Sequence, residues 1–453
     1  MKSTLPADLI SIVGDAARVF TAPAVLDRLS HDFYWYSPVL RPMLADKVAD
    51  VAVQPISVEE VQEILRYAGR HQISVTARGA GTGNYGQCVP LEGGIVLDLS
   101  RMDKLEAIAP EGVAVCQPGL RLGTLETEAR KQGWELRMYP STLVKASVGG
   151  FLAGGSGGIG SVTHGGLRDF DTVRALEIVT MEEDPRVVLH HGAEVQQILH
   201  AWGTNGVVTR VWFTLAPAVE WTQTTVAFDT YEDAFSFAEF IAVDSAWTKR
   251  LVTVFEWPIP SYFTPIRSWM PSGKSIVLVM IATAQADAFH GAAASAGGEP
   301  TFASSYDGPR TQPLLSDFTW NHTTLWAMKA NPGLTYLQCG FSPEECRKQF
   351  RLLRHRFGDE IFFHIEFMKN GEGIVIPGAI PVVRFVSEAR LNEMIDYCRS
   401  IGVFVANPHV NYLEDGGRFR EDNIQLLAKQ KYDPRGLLNP GKMISFQKQV
   451  VPR

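Results

Sequence analysis

Two short stretches place titratable and amide side chains where they could move a proton. In Phe362-Phe363-His364-Ile365-Glu366-Phe367, strand alternation puts His364 and Glu366 on one face, away from Phe363, Ile365 and Phe367. Asn407, His409 and Asn411 alternate in the same way in Asn407-Pro408-His409-Val410-Asn411. Imidazole has the ordinary pKa nearest neutrality, which suits it to take a substrate proton within hydrogen-bond reach. His364 and Glu366 read equally well as the polar outer face of a sheet or as active-site groups, whereas His409 and Asn411 read first as catalytic. Arg384, Lys329 and Arg354 are candidate anchors for a substrate carboxylate, and each also reads as a surface charge.

A second chemistry lies in the glycines. Residues 73–86 read as a β-branched strand entering a glycine loop, and residues 93–99 as a second buried strand. Gly79, Gly81, Gly83 and Gly86 let the backbone approach a ligand closely, and successive N–H groups can form a cradle for phosphate oxygens, with Arg78 at its mouth. Gly81-x-Gly83-x-x-Gly86 matches the dinucleotide fingerprint, but that fingerprint needs a helix next and residues 87–94 offer none. Gly155-x-Gly157-x-x-Gly160 runs into residues 161–166, also read as a loop. The doubly wound dinucleotide fold therefore fails. Between Gly149 and Gly166 the glycines interleave with Phe151, Leu152, Ile159 and Val162, a composition that suits backbone wrapped around a flat ring better than a polar linker.

The elements that must position these groups follow from periodicity. Ser57 and Glu60 have the spacing of a capping box, and Val61, Ile64, Leu65 and Ala68 fall on one helical face behind it. Residues 113–119 read as a strand with a Pro-Gly turn, and 120–132 as a helix. From 216 to 405, strand-like runs (224–229, 275–282, 333–339, 362–368 and 380–386) alternate with helices at 231–243, 343–357 and 387–401. That order implies an α+β cap on an antiparallel sheet. Segments 258–274 and 295–323 read as loops over the substrate, and the aromatic run 33–36 as an N-terminal arm packed on the body.

Residues 78–99 resemble the FAD-binding domain of the vanillyl-alcohol oxidase, or para-cresol methylhydroxylase (PCMH) type, superfamily. The resemblance extends to Pro140-Ser141-Thr142, to Gly149-Gly150 with the glycines after it, to the stretch 169–179, and to Gly203-Thr204-Asn205-Gly206-Val207-Val208-Thr209. It closes on Asp433-Pro434-Arg435-Gly436-Leu437-Leu438-Asn439-Pro440-Gly441-Lys442. It implies a PCMH-type FAD-binding domain of two α/β subdomains over 1–215, a substrate cap over 216–405, and a segment over 406–453 returning to the FAD domain. FAD contacts are implied for Arg78, Gly79, Ala80, Gly81, Thr82, Gly83, Asn84 and Tyr85, and for Pro140, Ser141 and Thr142. The same holds for Gly149, Gly150, Gly154, Gly157, Gly158, Ile159, Ser161, Gly206, Val207, Val208, Asn439 and Lys442. The family places substrate residues near the cap junction that carries His409 and Asn411.

Two departures from the family pattern matter. Thr82 stands where many relatives carry a flavin-tethering histidine, and no histidine lies between His71 and His164, so FAD is expected to be non-covalent unless His409 or Tyr412 tethers it. The metal segment of D-2-hydroxy-acid dehydrogenases is poorly matched by residues 408–417, and no metal is expected. The activity implied is hydride transfer from an alcohol or hydroxy acid to FAD. The alternative is a non-catalytic or electron-transfer subunit of a larger complex. O₂ or another carrier would reoxidise the flavin.

Composition sets the bounds. A chain of 453 residues, 45% hydrophobic and 20% charged, is an ordinary globular chain long enough for two domains. A net charge of −7 argues against tracking nucleic-acid phosphates. The five cysteines carry no CxxC or zinc spacing, which suggests buried free thiols in a reducing compartment. The N-terminus lacks a signal-peptide core and no apolar run reaches membrane-spanning length, so a cytoplasmic protein is expected. Its partner is then a small-molecule substrate, and homo-oligomerisation stays open.

Overall fold

The computed structural model describes residues 4–169, 171–417 and 422–450. Phe170, part of the stretch matched at 169–179, lies outside them, as do residues 1–3, 418–421 and 451–453 of the two termini's expected segments. The chain is mixed α+β, with three main sheets, of which the third, antiparallel throughout, is termed the cap sheet.

The first sheet has the order Val19–Phe20, Val51–Val53, Ile95–Asp98, Val75–Arg78, and its last three strands are parallel. Helix Val58–Arg70 makes the crossover and buries Val61, Ile64, Leu65 and Ala68, the face expected from periodicity. Ser57 Oγ accepts from the Glu60 amide at 3.2 Å, but the Glu60 carboxylate reaches the Ile56 amide rather than closing the box on Ser57. The parallel strands are mostly apolar, with Thr76, Arg78 and Asp98 the exceptions, because the sheet is covered on both sides.

The second sheet runs Leu105–Ala109, Val113–Cys116, Val207–Pro217, Val173–Val179, Val187–His191, with Trp134–Leu136 also paired to Val207–Pro217. The third is an antiparallel sheet of eight strands, from Glu299–Tyr306 at one edge to Phe404–Ala406 at the other. Its strand Ser275–Ala282 is apolar at every position except Ser275 because both faces are buried. Ile276, Leu278 and Met280 join the core shared with Tyr139, Phe151 and Ile159 of the glycine-rich half. Val277, Val279 and Ile281 pack under helices Tyr231–Val243 and Ala286–Ser295. The alternation decides which cap face looks at the ligand side.

Several expected elements differ. The run 362–368 is two strands, Ile361–Phe362 and His364–Lys369, in different sheets. The Glu256 carboxylate takes the Phe363 amide at 2.7 Å and interrupts the ladder there. The run 333–339 divides in the same manner at Leu337, whose amide goes to the Pro381 carbonyl. Segment 295–323 contains the edge strand Glu299–Tyr306; Pro300 reads as a loop residue, yet an edge strand tolerates it. Segment 258–274 forms the 3-10 turns Ile259–Tyr262 and Thr264–Trp269. Residues 161–164, read as loop, are the short helix Ser161–His164, and the glycine-rich stretch before them includes the short helix Val148–Gly154. In the aromatic run, Tyr34 and Tyr36 pack inward while Phe33 and Trp35 stay partly exposed.

No helix among the described residues is long and apolar enough to cross a membrane. All five cysteines are unpaired, and all but Cys88 are buried.

Candidate cofactor and substrate cavity

A cavity of about 480 Å³ opens where the first glycine loop, the second glycine segment and the cap sheet meet. Residues 78–85 form one wall, and residues 140–142 with Gly149, Gly150, Gly154 and Gly157 form another. Gly206 and Val208 close the floor. Close backbone approach explains the glycines. A Cβ on Gly79 would lie 2.3 Å from Ser147 Oγ and 3.2 Å from the Gly150 Cα, so the two segments touch main chain to main chain. Gly81 has φ +65°, the left-handed region that glycine occupies without strain.

Six residues expected to touch FAD stand behind the walls instead. Ile159 bridges to Tyr139 through backbone hydrogen bonds, a Cβ on Gly158 would sit 2.0 Å from the Tyr139 carbonyl oxygen, and Ser161 Oγ accepts from the Gly158 amide. Val207 is committed to the second sheet, opposite Val179. Asn439 Nδ2 donates to the carbonyls of Gln87 and Trp202 at 2.7 and 2.6 Å, and Lys442 Nζ donates to the Gly86 carbonyl at 2.7 Å. The strand entering the loop is held from the same side, by Val75 N–H to the Leu437 carbonyl and Asn439 N–H to the Val75 carbonyl. The closing motif thus braces the first loop from beneath. Arg78 lines the cavity but folds back, donating to the His31 carbonyl at 2.8 Å with its guanidinium against Gly81.

The catalytic expectations need larger correction. His409 does not line the cavity; its Nε2–H donates to the Tyr336 carbonyl at 2.9 Å and its Nδ1 accepts from the Ser37 hydroxyl at 2.8 Å. Burial pushes its pKa down to about 4. Both nitrogens are spent on holding the N-terminal arm to the cap, so His409 is not a substrate base. Asn411 lies beside Gly86, behind the loop. Arg384 is exposed at the end of the central strand of a small sheet, Lys329 lies over the Trp326 ring, and Arg354 donates to the carbonyls of Gly358 and Ile361. None of these three lines the cavity.

His364 and Glu366 share a strand face as expected, but that face is not an outer one: both are fully buried. Met368, two residues on, and Gly378, opposite Glu366, line the cavity, so the face looks toward the ligand side. His364 Nε2 meets Glu366 Oε1 at 2.8 Å and Nδ1 meets the Ile380 carbonyl at 3.2 Å. The imidazole is thereby held at both nitrogens, by Glu366 on its own strand and by the Ile380 carbonyl. The Glu366 Oε2 has no partner.

Sequence reasoning missed the cap residues of the cavity, among them Trp320, Asn321, Gln338, Asn370 and Phe404. Continuing the 364, 366 alternation would have found Met368; nothing in the sequence pointed to Trp320. Tyr85 of the first loop donates to Gln338 Oε1 of the cap, joining the two walls directly.

The residues fit FAD. Asn84 Nδ2 and Trp202 Nε1 are buried donors without partners on cavity-lining residues, as an acceptor-rich ligand requires. Main chain replaces side chains where the walls approach each other, leaving a slot for a flat, extended group.

Comparison with known proteins agrees. Residues 49–188 match the family described as FAD binding domain. The chain is 34% identical over 207 residues to D-lactate dehydrogenase of Archaeoglobus fulgidus, covering 43% of this chain and 46% of that protein. It is 26% identical over 204 residues to the glycolate oxidase subunit GlcD of Bacillus subtilis, covering 43% and 42%. The chain spans about half the length of the curated relatives it matches. Among solved structures, alkyldihydroxyacetonephosphate synthase superposes with a TM-score of 0.72 at 16% identity, over 97% of this chain and 84% of that one, a likeness of fold. With a glycine-walled slot, an antiparallel cap and the closing motif braced under the first loop, residues 49–188 form an FAD binding domain in a chain that shares its fold with alkyldihydroxyacetonephosphate synthase.

Proposed function

We propose that the protein is an FAD-dependent oxidoreductase that oxidises the CH–OH group of a small alcohol or hydroxy acid. The observation that carries this is the placement of the His364–Glu366 pair on the cap face that covers the glycine-walled cavity. Bound FAD supplies a two-electron acceptor for hydride. The chain's own residues hold the cofactor on main chain, exclude water with the cap sheet, and set Glu366, which does not itself line the cavity, directly behind Trp320 as the group to which the hydroxyl proton passes. The names of the relatives, D-lactate dehydrogenase and glycolate oxidase subunit, support hydroxy acids as the first substrates to try. FAD is held without a covalent bond in this reading, since Thr82 occupies the loop position of the tethering histidine.

Anaerobic mixing with a panel of hydroxy acids and neutral alcohols tests the proposal: at least one should bleach the flavin absorbance. A yellow protein bleached by none of them would be an electron-transfer subunit instead. Admitting O₂ to the reduced protein then separates an oxidase, which recolours at once, from a dehydrogenase that needs another carrier.

A further inference from the structure

Three polar atoms on neighbouring residues of the cap wall are buried and lack a hydrogen-bond partner: Trp320 Nε1, Asn321 Oδ1 and Glu366 Oε2. Trp320 and Asn321 line the cavity, and a Cβ on Gly157 of the opposite wall would lie 3.2 Å from the Trp320 ring. Trp320 is tied to Glu366 by its own amide, which donates to Glu366 Oε1 at 2.7 Å. Buried polar atoms in native proteins are nearly always paired, and a cluster of orphans on a cavity wall marks the complement of a ligand. The inventory is specific. Indole nitrogen can only donate, an amide oxygen can only accept, and the outer carboxylate oxygen accepts as well. A hydroxyl, with one proton to give and two lone pairs, pairs with the indole N–H and with one of the two acceptors at a time.

We infer that Trp320 and Asn321 form a hydroxyl-recognition subsite, in which the indole N–H donates to the substrate oxygen and Asn321 Oδ1 or Glu366 Oε2 accepts its proton. This deepens the proposed function and rests on it: the subsite presents the CH–OH group to the opposite wall. Trp320 and Asn321 are specificity-determining residues, with Glu366 the proton acceptor behind them. The ligand class is an alcohol in its protonated form, recognised as donor and acceptor together.

The test uses two probes that cannot be oxidised at the carbinol carbon. tert-Butanol carries a hydroxyl but no carbinol hydrogen, and tert-butyl methyl ether accepts but cannot donate. Both are titrated into the full-length, FAD-loaded protein by ligand-observed NMR, while FAD content is read separately from its absorbance and folding from the thermal midpoint. Parental protein should bind tert-butanol more tightly than the ether. Trp320→Phe should raise Kd for both probes, about 3- to 10-fold for one lost neutral hydrogen bond. Asn321→Ala should raise it for tert-butanol and leave the ether unchanged. Failure of parental protein to prefer tert-butanol, or equal binding of both probes by parent and both variants, would overturn the subsite. Because the probes undergo no chemistry, that result leaves flavin reduction by true substrates a separate observation; conversely, a colourless protein overturns the cofactor reading whatever the probes do.

Discussion

The Trp320 amide donates to Glu366 Oε1 at 2.7 Å, joining the start of helix Asn321–Ala330 to the cap strand that carries His364. Trp320 has φ 50°, a conformation that costs a bulky residue roughly 1–3 kcal/mol and persists only where surroundings enforce it. One carboxylate oxygen thereby ties the His364 imidazole to the Trp320 main chain.

Glu366→Gln keeps an oxygen for the Trp320 amide but removes the proton acceptor. The rate of flavin reduction should fall about 10²- to 10⁴-fold, the range for a lost general base. The FAD spectrum and the thermal midpoint should stay near the parental values. A variant that reduces its flavin at the parental rate would show that the pair is structural.

His409, His164 and His322 are each pushed down to about 4 from the usual 6.5, burial being the first cause. Folded pKa values below the unfolded ones mean that the unfolded chain binds more protons between roughly pH 6.5 and 4. Stability should therefore be at its full value above pH 6.5 and fall as pH drops through that window. Thermal midpoints across pH 4–8 check the sign.

His409→Ala should lower stability at pH 7 by about 1–3 kcal/mol, because the Ser37 hydroxyl and the Tyr336 carbonyl lose buried partners. It should also make the acid slope shallower. Flavin reduction by the folded variant should proceed near the parental rate, and a drop of the size expected for Glu366→Gln would restore His409 to the chemistry.

Gly79→Ala puts a Cβ where Ser147 Oγ and the Gly150 backbone already stand. The two walls must part, and FAD content on purification should drop sharply while far-ultraviolet circular dichroism changes little. Gly14→Ala serves as the control: it also removes a glycine, with φ +69°, but nothing lies within 4 Å of its Cβ.

Arg250 of the cap is buried and reaches Glu126 at 3.0 Å and Glu135 at 3.5 Å in the glycine-rich half. Arg250→Met should destabilise the protein by about 3–5 kcal/mol, since buried Glu126 loses its nearest cation and keeps only Arg130 at 3.9 Å, while Glu135 retains Arg130 at 2.6 Å. Denaturant unfolding followed by flavin fluorescence and by circular dichroism measures this loss and shows whether the halves separate first.

The cofactor half was legible because main-chain chemistry is written in residue type. Glycines at 79, 81, 83, 149 and 150 can have few other purposes, and all of them line the cavity. Helix Tyr231–Val243 and strand Ser275–Ala282 were read with their observed limits, since periodicity and an unbroken apolar run are local signals. Tertiary partners were not legible. His409 resembles a catalytic histidine until Ser37 and Tyr336, distant in sequence, take both its nitrogens. Asn439 and Lys442 belong to the FAD motif, but they act one layer behind it, a depth that sequence spacing does not encode. Trp320 has no pattern at all; its place depends on a carboxylate 46 positions away.

The bond from Lys442 to Gly86 spans 356 positions, and the backbone bonds of Val75 to Leu437 and Asn439 close a loop of similar length. A growing chain on the ribosome thus carries every glycine of both walls long before it carries their backstop. Loop closure over such a distance comes late, and the first wall gains its support only when the closing motif has emerged. Cofactor capture in this way waits for residues 437–442, and a product cut short before residue 437 keeps the slot's lining without the means to hold its shape.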